Sequence, residues 1–336
     1  MKIAVVGAGA IGGYLGVRLA LSGQQVTFIA RNQNLAAIRA RGFKLIDEDG
    51  RVQHATDVRA VQDMADAGPQ DVVLLALKAH QVRGVLPALL DLFGPETILV
   101  TMINGVPWWY FHRLAGPYEG RCLSSVDPDG AIARYIDPER VIGSVVYPAA
   151  EVVEPGVVRL IEGNRFTLGE PTGDRSRRVE ALSQVMTLAG FKAPVSKDIR
   201  TEIWTKLWGN LSFNPISALT HATLGGICRH PLARELVVDM MREAQAVAEQ
   251  LGVVFKISLD QRIAGAAVVG AHKTSMLRDV ERGRALELEA LVGSVVELGR
   301  ITGTPTPSIN AIYAATALLA QTLTESNGRL EVQPLR

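Results

Sequence analysis

The 336-residue chain contains two cysteines, Cys122 and Cys228. Two thiols do not make a disulfide framework, and neither sits in a metal-ligand spacing. Both read as small buried hydrophobes, and no metal is expected. Charge of one sign is also missing: 35 Lys and Arg face 34 Asp and Glu, for a net charge of +1. That balance gives no field to attract nucleic acid or an acidic membrane. No uninterrupted apolar run approaches the ~20 residues of a membrane span. Lys2 and the apolar residues after it imitate a signal peptide. The glycines there are better explained by a phosphate turn, and no separate mature start follows. Short-period repeats, charge blocks and low-complexity tracts are lacking. So is G-x-S-x-G, which leaves a serine hydrolase without support. A reducing, cytoplasmic setting fits these absences.

What remains is a soluble globular composition, 48% hydrophobic and 21% charged, on a chain long enough for two domains. Its most informative stretch is at the N-terminus. Ile3 to Val6 form a short apolar run, followed at once by Gly7-Ala8-Gly9-Ala10-Ile11-Gly12. In a G-x-G-x-x-G turn the first glycine lets the strand turn sharply into a helix. The second admits a pyrophosphate to the backbone, and the third lets helix and strand pack closely. The phosphates then rest on the free N–H groups and positive dipole end of the helix. Residues 7–12 are therefore expected to bind a dinucleotide. At the end of the second strand, Gln25 to Ala30, NAD binders place an acid for the ribose 2′-hydroxyl. Here Ala30 stands at about that place and Arg31 follows. A guanidinium suits a 2′-phosphate, so the cofactor read from the sequence is NADPH.

The first part of the chain alternates strands and helices. Leu35 to Arg41 reads as a helix, and Phe43 to Ile46 and Val52 to Ala55 flank the hairpin turn Asp49-Gly50. Asp71 to Leu77 is a strand buried on both faces. Val82 to Leu92 is expected to be a helix and Thr97 to Met102 another buried strand. Further strands are expected at Val141 to Val146, Val157 to Ile161 and Arg165 to Leu168, and a helix at Arg178 to Ala189. In such a doubly wound sheet, ligands lie beyond the carboxyl ends of the strands, where Lys78 and Asn104 stand. Later segments have helical periodicity: Thr201 to Leu211, Leu232 to Leu251, Ala285 to Ile301 and Ile309 to Leu323. The fold class is α/β, a Rossmann-type doubly wound N-terminal domain (1–196) followed by an all-α C-terminal domain (197–336). The last two apolar helices have each other or a second subunit to bury against, and the reading leans to a homodimer. From Ser326 onward the chain is mostly polar and is expected to fray.

The stretch Trp204 to Pro215 carries the chemistry of the second domain. Lys206 and Asn210 share one helix face, and Asn214 continues it until Pro215, which should end or kink the helix. Hydride addition to a carbonyl leaves an alkoxide, which needs a proton. A Lys ammonium can stabilise that charge and donate the proton, while neutral amides hold a carboxylate or hydroxyl. Burial opposes the charged form of such a Lys, so a nearby carboxylate would help. Glu287, among Leu286, Leu288 and Leu291, is the candidate, and Glu289 is the solvated neighbour. His80, His112, His221 and His272 fall in no recognisable catalytic spacing and read as structural.

Assembled, these residues resemble the ketopantoate reductase family, also called 2-dehydropantoate 2-reductases. The likeness covers the glycine turn, Arg31, Leu77-Lys78, Asn104-Gly105, Lys206-Leu207 with Asn210 and Asn214-Pro215, and Ser275-Met276-Leu277 with Asp279 and Glu287. It implies a Rossmann-type domain joined to a helical one, with the active site in the cleft between them. It also implies reduction of 2-dehydropantoate to (R)-pantoate by NADPH, a step toward pantothenate and coenzyme A. By resemblance Lys206 is the general acid, and Asn210, Asn214 and Ser275 contact substrate. Lys78 and Asn104 touch the nicotinamide side, Asn104 substrate as well, and Glu287 contacts cofactor and orders the cleft. Departures from the family are Ile103 where Gln is common, Leu286 where Thr is common, Leu224 where some members have Asn, and the segment Ser124 to Gly130. They bear on substrate contacts, and a buried polar group left unpaired costs ~1–3 kcal/mol. Three other functions are weighed: reduction of another 2-keto acid, an inactive NADP-binding sensor, and a β-hydroxyacid dehydrogenase of related architecture. Retention of Lys206 argues against the sensor, and the spacing around it against the dehydrogenase.

Overall fold

The apolar runs of the N-terminal half become the inner strands of a parallel sheet. In the computed structural model, which describes residues 1–333, the strands are β1 (Lys2–Val6), β2 (Gln25–Ile29), β3 (Phe43–Ile46), β4 (Val52–Ala55), β5 (Arg59–Val61), β6 (Gln70–Leu75), β7 (Phe93–Thr101), β8 (Val141–Val146), β9 (Ala149–Glu154), β10 (Val157–Glu162) and β11 (Phe166–Gly169). Seven of them order as β11-β8-β7-β6-β1-β2-β5. All pairs are parallel except β11 with β8. Read from β5, this is the doubly wound order 3-2-1-4-5-6, whose strand order reverses between β1 and β6. Ile3 stands opposite Val26 on one side and Val72 on the other. All three are buried, as the continuous apolar runs require.

The other four strands form a second sheet, β4-β3-β10-β9. Helix α1 (Ala10–Leu21) packs against both sheets. Its small residues make this possible: a side chain at Gly13 would collide with Phe43 and Val158, and one at Gly16 with Phe28. Helix α2 (Asn32–Arg41) follows β2. Helix α3 (Arg177–Leu188) is capped by the Ser176 side chain and buries Val179, Leu182 and Met186. Glu170, buried, accepts hydrogen bonds from Arg178 at 2.6 and 2.8 Å. That pairing raises the Arg178 pKa further. Arg200 is pulled the other way by burial. Its guanidinium donates to the carbonyls of Tyr110, Pro171 and His112 at 2.5–2.8 Å.

The second half is helical. Helix α4 (Ile199–Thr220) is followed, after the short helix Leu224–Arg229, by α5 (Pro231–Gln250), α6 (Leu259–Val269), α7 (Ser275–Glu281), α8 (Ser294–Thr302) and α9 (Pro307–Glu325). A π-helical turn spans Glu289–Gly293 ahead of α8. The chain divides into two compact units. One holds Met1–Ile103, Pro107–Cys122 and Asp129–Glu202; the other holds Asn104–Val106, Leu123–Pro128 and everything from Ile203.

Several elements depart from the sequence reading. Val82 to Leu92 is not one helix but 3-10 turns around the short helix Leu86–Leu89. Pro87, lacking an N–H, sits at the start of that short helix. Pro215 neither ends nor breaks α4, which runs on to Thr220. Burial of Leu211, Phe213 and Ile216 outweighs one lost donor. Ala285 to Leu288 does not open a long helix: residues 284–287 are irregular, and helix begins at Leu288. The short β5 and the edge strand β9 lacked an alternating pattern, as did α6 and α7 a long apolar period. Residues 326–333 are turn and irregular backbone; 334–336, part of the expected frayed end, lie outside the described residues. No helix is long and apolar enough to cross a membrane, among the described residues.

Candidate functional site

In the first unit the turn after β1 sits at the reversal of strand order. Gly7 has φ +102°, and a side chain there would strike the Ala76 carbonyl and Leu77 at the end of β6. Gly12 lies against the Gly7 carbonyl and Val5, with no room for a Cβ. Gly9 is the opposite case. A Cβ there would meet nothing within 4 Å, and the residue is exposed. Gly9 caps α1 without a side-chain bond, and the first turn holds no acid. The N–H groups of Ala10, Ile11 and Gly12 therefore lack intrahelical acceptors, and the positive dipole end is uncompensated. An open cleft of ≈ 960 Å³ begins here, lined by Gly7, Ala8, Gly9, Arg31, Leu77 and Gln81 among others. Exposed Arg31 stands at the N-cap of α2, directly beyond buried Ala30. This donor set fits a dinucleotide: free N–H groups and an open glycine for pyrophosphate, a guanidinium for a further phosphate. Lys78 follows one residue after Leu77, and its N–H donates to Gln81 Oε1 at 3.1 Å.

One residue of this cleft carried no signal in the sequence. Asn34, another lining residue, donates to the Ala8 carbonyl at 2.6 Å and accepts from the Gly156 N–H at 2.7 Å. It ties the glycine turn to the β9–β10 hairpin.

In the second unit the structure brings Lys206, Asn104 and Glu287 together. Lys206 Nζ donates to Asn104 Oδ1 at 2.5 Å. Burial pulls the Lys206 pKa down to about 8, and the negative charge of Glu287 pushes it back up. These opposing influences leave an ammonium that can give up its proton near neutral pH. Asn210 and Asn214 lie one and two turns further along α4, partly exposed and buried respectively. Ser275 is exposed in the first turn of α7, behind the capping Thr274. Glu289 is exposed and accepts from the Tyr313 hydroxyl at 2.8 and 3.0 Å. Burial and that carboxylate push the Tyr313 pKa up to about 12.

Two further contacts of the second unit were invisible in the sequence. The Arg262 guanidinium lies where a side chain at Gly209 of α4 would go. The Glu297 carboxylate accepts from the N–H groups of Ser124 and Ser125, each at 2.8 Å, fixing that segment. Of the four histidines weighed as rival acids, His112 stands 3.4 Å from Glu139. His221 has a positive φ, and its buried Nδ1 has no hydrogen-bond partner. No cluster of metal-ligating side chains occurs among the described residues.

Family models match both halves of the chain. The ketopantoate reductase PanE/ApbA family covers residues 3–173 and its C-terminal counterpart residues 198–320. The chain belongs to the ketopantoate reductase family. A 2-dehydropantoate 2-reductase from Mesorhizobium japonicum is 56% identical over 321 residues, spanning 95% of this chain and 98% of that protein. A solved structure from Ralstonia solanacearum MolK2 matches with a TM-score of 0.91 and 42% identity, over 96% of this chain and 98% of the other. The ternary structure of D-mandelate dehydrogenase with NADH and anilino(oxo)acetate shares the fold, at TM-score 0.82 and 20% identity, over 96% and 100% of the two chains. As a ketopantoate reductase family member, the protein is an NAD(P)-dependent oxidoreductase.

Proposed function

We propose that the protein reduces 2-dehydropantoate to (R)-pantoate with NADPH, a cytoplasmic step toward pantothenate and coenzyme A, and that Lys206 is the proton donor. The observation that carries the reading is Lys206, held by the Asn104 amide and balanced by Glu287, in a chain 56% identical to a 2-dehydropantoate 2-reductase.

The N–H groups at the start of α1 bind the pyrophosphate of the cofactor, and Arg31 binds the 2′-phosphate that distinguishes NADPH from NADH. When bound, the reduced nicotinamide supplies the hydride. Lys206 stabilises the negative charge that develops on the keto oxygen and transfers its proton there. Asn104 keeps the ammonium oriented, and Glu287 keeps it charged in a dry setting. Asn210, Asn214 and Ser275 hold the substrate carboxylate and hydroxyl, neutral donors that leave the proton inventory at Lys206 alone. Lys78 contributes on the nicotinamide side.

A second reading keeps this chemistry and changes the acid. Ile103, Leu224 and Leu286 are apolar at positions where the resemblance implies polar side chains, which favours another 2-keto acid. Steady-state NADPH oxidation over a panel of 2-keto acids decides between them. The primary reading expects the highest kcat/KM for 2-dehydropantoate; another 2-keto acid outranking it supports the second.

A further inference from the structure

The Asn104 side chain reaches Lys206 from a three-residue segment that has little structure of its own. Its neighbour Gly105 has φ +90°, and any Cβ there would run into the carbonyl of Ala290. The Val106 N–H donates to that same carbonyl at 3.0 Å. Buried Ser294 adds a second donor, its hydroxyl reaching the Ala290 oxygen at 2.8 Å. Ala290 lies inside the π turn Glu289–Gly293. Such single wide turns inside helices cluster at functional sites, because they re-aim backbone groups that a regular helix would consume. The turn also fixes its own leading edge: the Leu291 N–H bonds to the Glu287 carbonyl at 3.3 Å. Asn104 and Glu287 therefore both hang on one turn, Glu287 by direct continuity and Asn104 through the Ala290 carbonyl. Glu287 is a charged group that acts on the Lys206 ammonium, and the Arg262 guanidinium lies over Gly209 further along α4.

We propose that the π turn Glu289–Gly293 is the positioning element for Lys206. Its Ala290 carbonyl holds Gly105 and Val106, and thereby sets the Asn104 amide against the ammonium. Gly105 and Ser294 are then positioning residues, acting through Asn104. The proposal rests on the reading of Lys206 as proton donor, but its geometry can be tested without turnover.

The test is the titration of Lys206 in the ligand-free protein, followed by NMR of 13C-labelled lysine, with the signal assigned from Lys206→Ala. Gly105→Ala forces the segment away from Ala290, so the ammonium loses its amide acceptor and titrates about one pH unit lower. In the Asn104→Ala background the same change has no further effect, since effects that run through one contact do not add. Ser294→Ala, which spares the backbone conformation at position 105, gives a smaller shift of the same sign if Gly105→Ala does not fold. In the active enzyme Gly105→Ala lowers kcat roughly tenfold to a hundredfold. A folded variant whose Lys206 titrates as in wild type overturns the proposal, as does a shift that adds fully to that of Asn104→Ala. If instead the titration shifts but wild-type protein reduces no 2-keto acid, the positioning holds and the assigned function fails.

Discussion

Arg31 and Lys206 are single side chains with separate consequences. Charge-assisted hydrogen bonds contribute about 1.5–3 kcal/mol, so Arg31→Ala should raise the Kd for NADPH roughly tenfold to a hundredfold. Its Kd for NADH should barely move. Fluorescence titration with both cofactors reads this directly, and equal losses would contradict a 2′-phosphate contact. Lys206→Ala removes the proton donor, and kcat for reduction should fall by about 10²–10⁴. The pH dependence follows from the same residue. Reduction needs the ammonium form, and burial brings its pKa to about 8. Reductive kcat/KM should therefore hold at neutral pH and decline as pH rises through about 8. Glu287→Gln removes the charge that raises this pKa, so the decline should move to lower pH. A pH–rate profile with its alkaline limb unmoved by Glu287→Gln would separate the two residues.

At the scale of elements, the glycine-rich face of α1 is what allows two sheets to share one helix. Gly13→Val would press on Phe43 and Val158, and overpacking of this kind costs roughly 1–3 kcal/mol. Urea unfolding should show that loss. The elements that line the proposed cofactor cleft were legible in the sequence because their signals are local. Gly7, Gly9 and Gly12 follow a buried strand at fixed spacing, and Arg31 follows the next one. The Lys206 face was legible for the same reason, three polar residues at a period of four on one helix. What was not legible depends on contacts distant in sequence. Asn34 bridges Ala8 to Gly156, residues 26 and 122 positions away. Glu287 was identified by its apolar company, yet the irregular backbone around it and the π turn beyond it broke the period that suggested a continuous helix. Pro215 is a related case: a local rule predicts a stop or a kink, and tertiary burial of the surrounding turn removes the stop.

For the whole molecule, the proposed chemistry is divided between its two compact units, phosphate recognition in the first and proton delivery in the second. The apolar helix α9 buries only Ile309 and Thr316 outright and leaves Leu318 65% exposed. We expect a second copy of the chain to cover it. Sedimentation velocity at micromolar concentration should give a dimer, and Leu318→Glu a monomer; a monomeric wild type contradicts this. The account as a whole turns on the reaction, and steady-state NADPH oxidation with 2-dehydropantoate beside other 2-keto acids measures it most directly. The account predicts a kcat/KM for 2-dehydropantoate well above those for the rest of the panel, and its loss in Lys206→Ala. NADPH binding without turnover of any 2-keto acid, or turnover indifferent to Lys206, would contradict it.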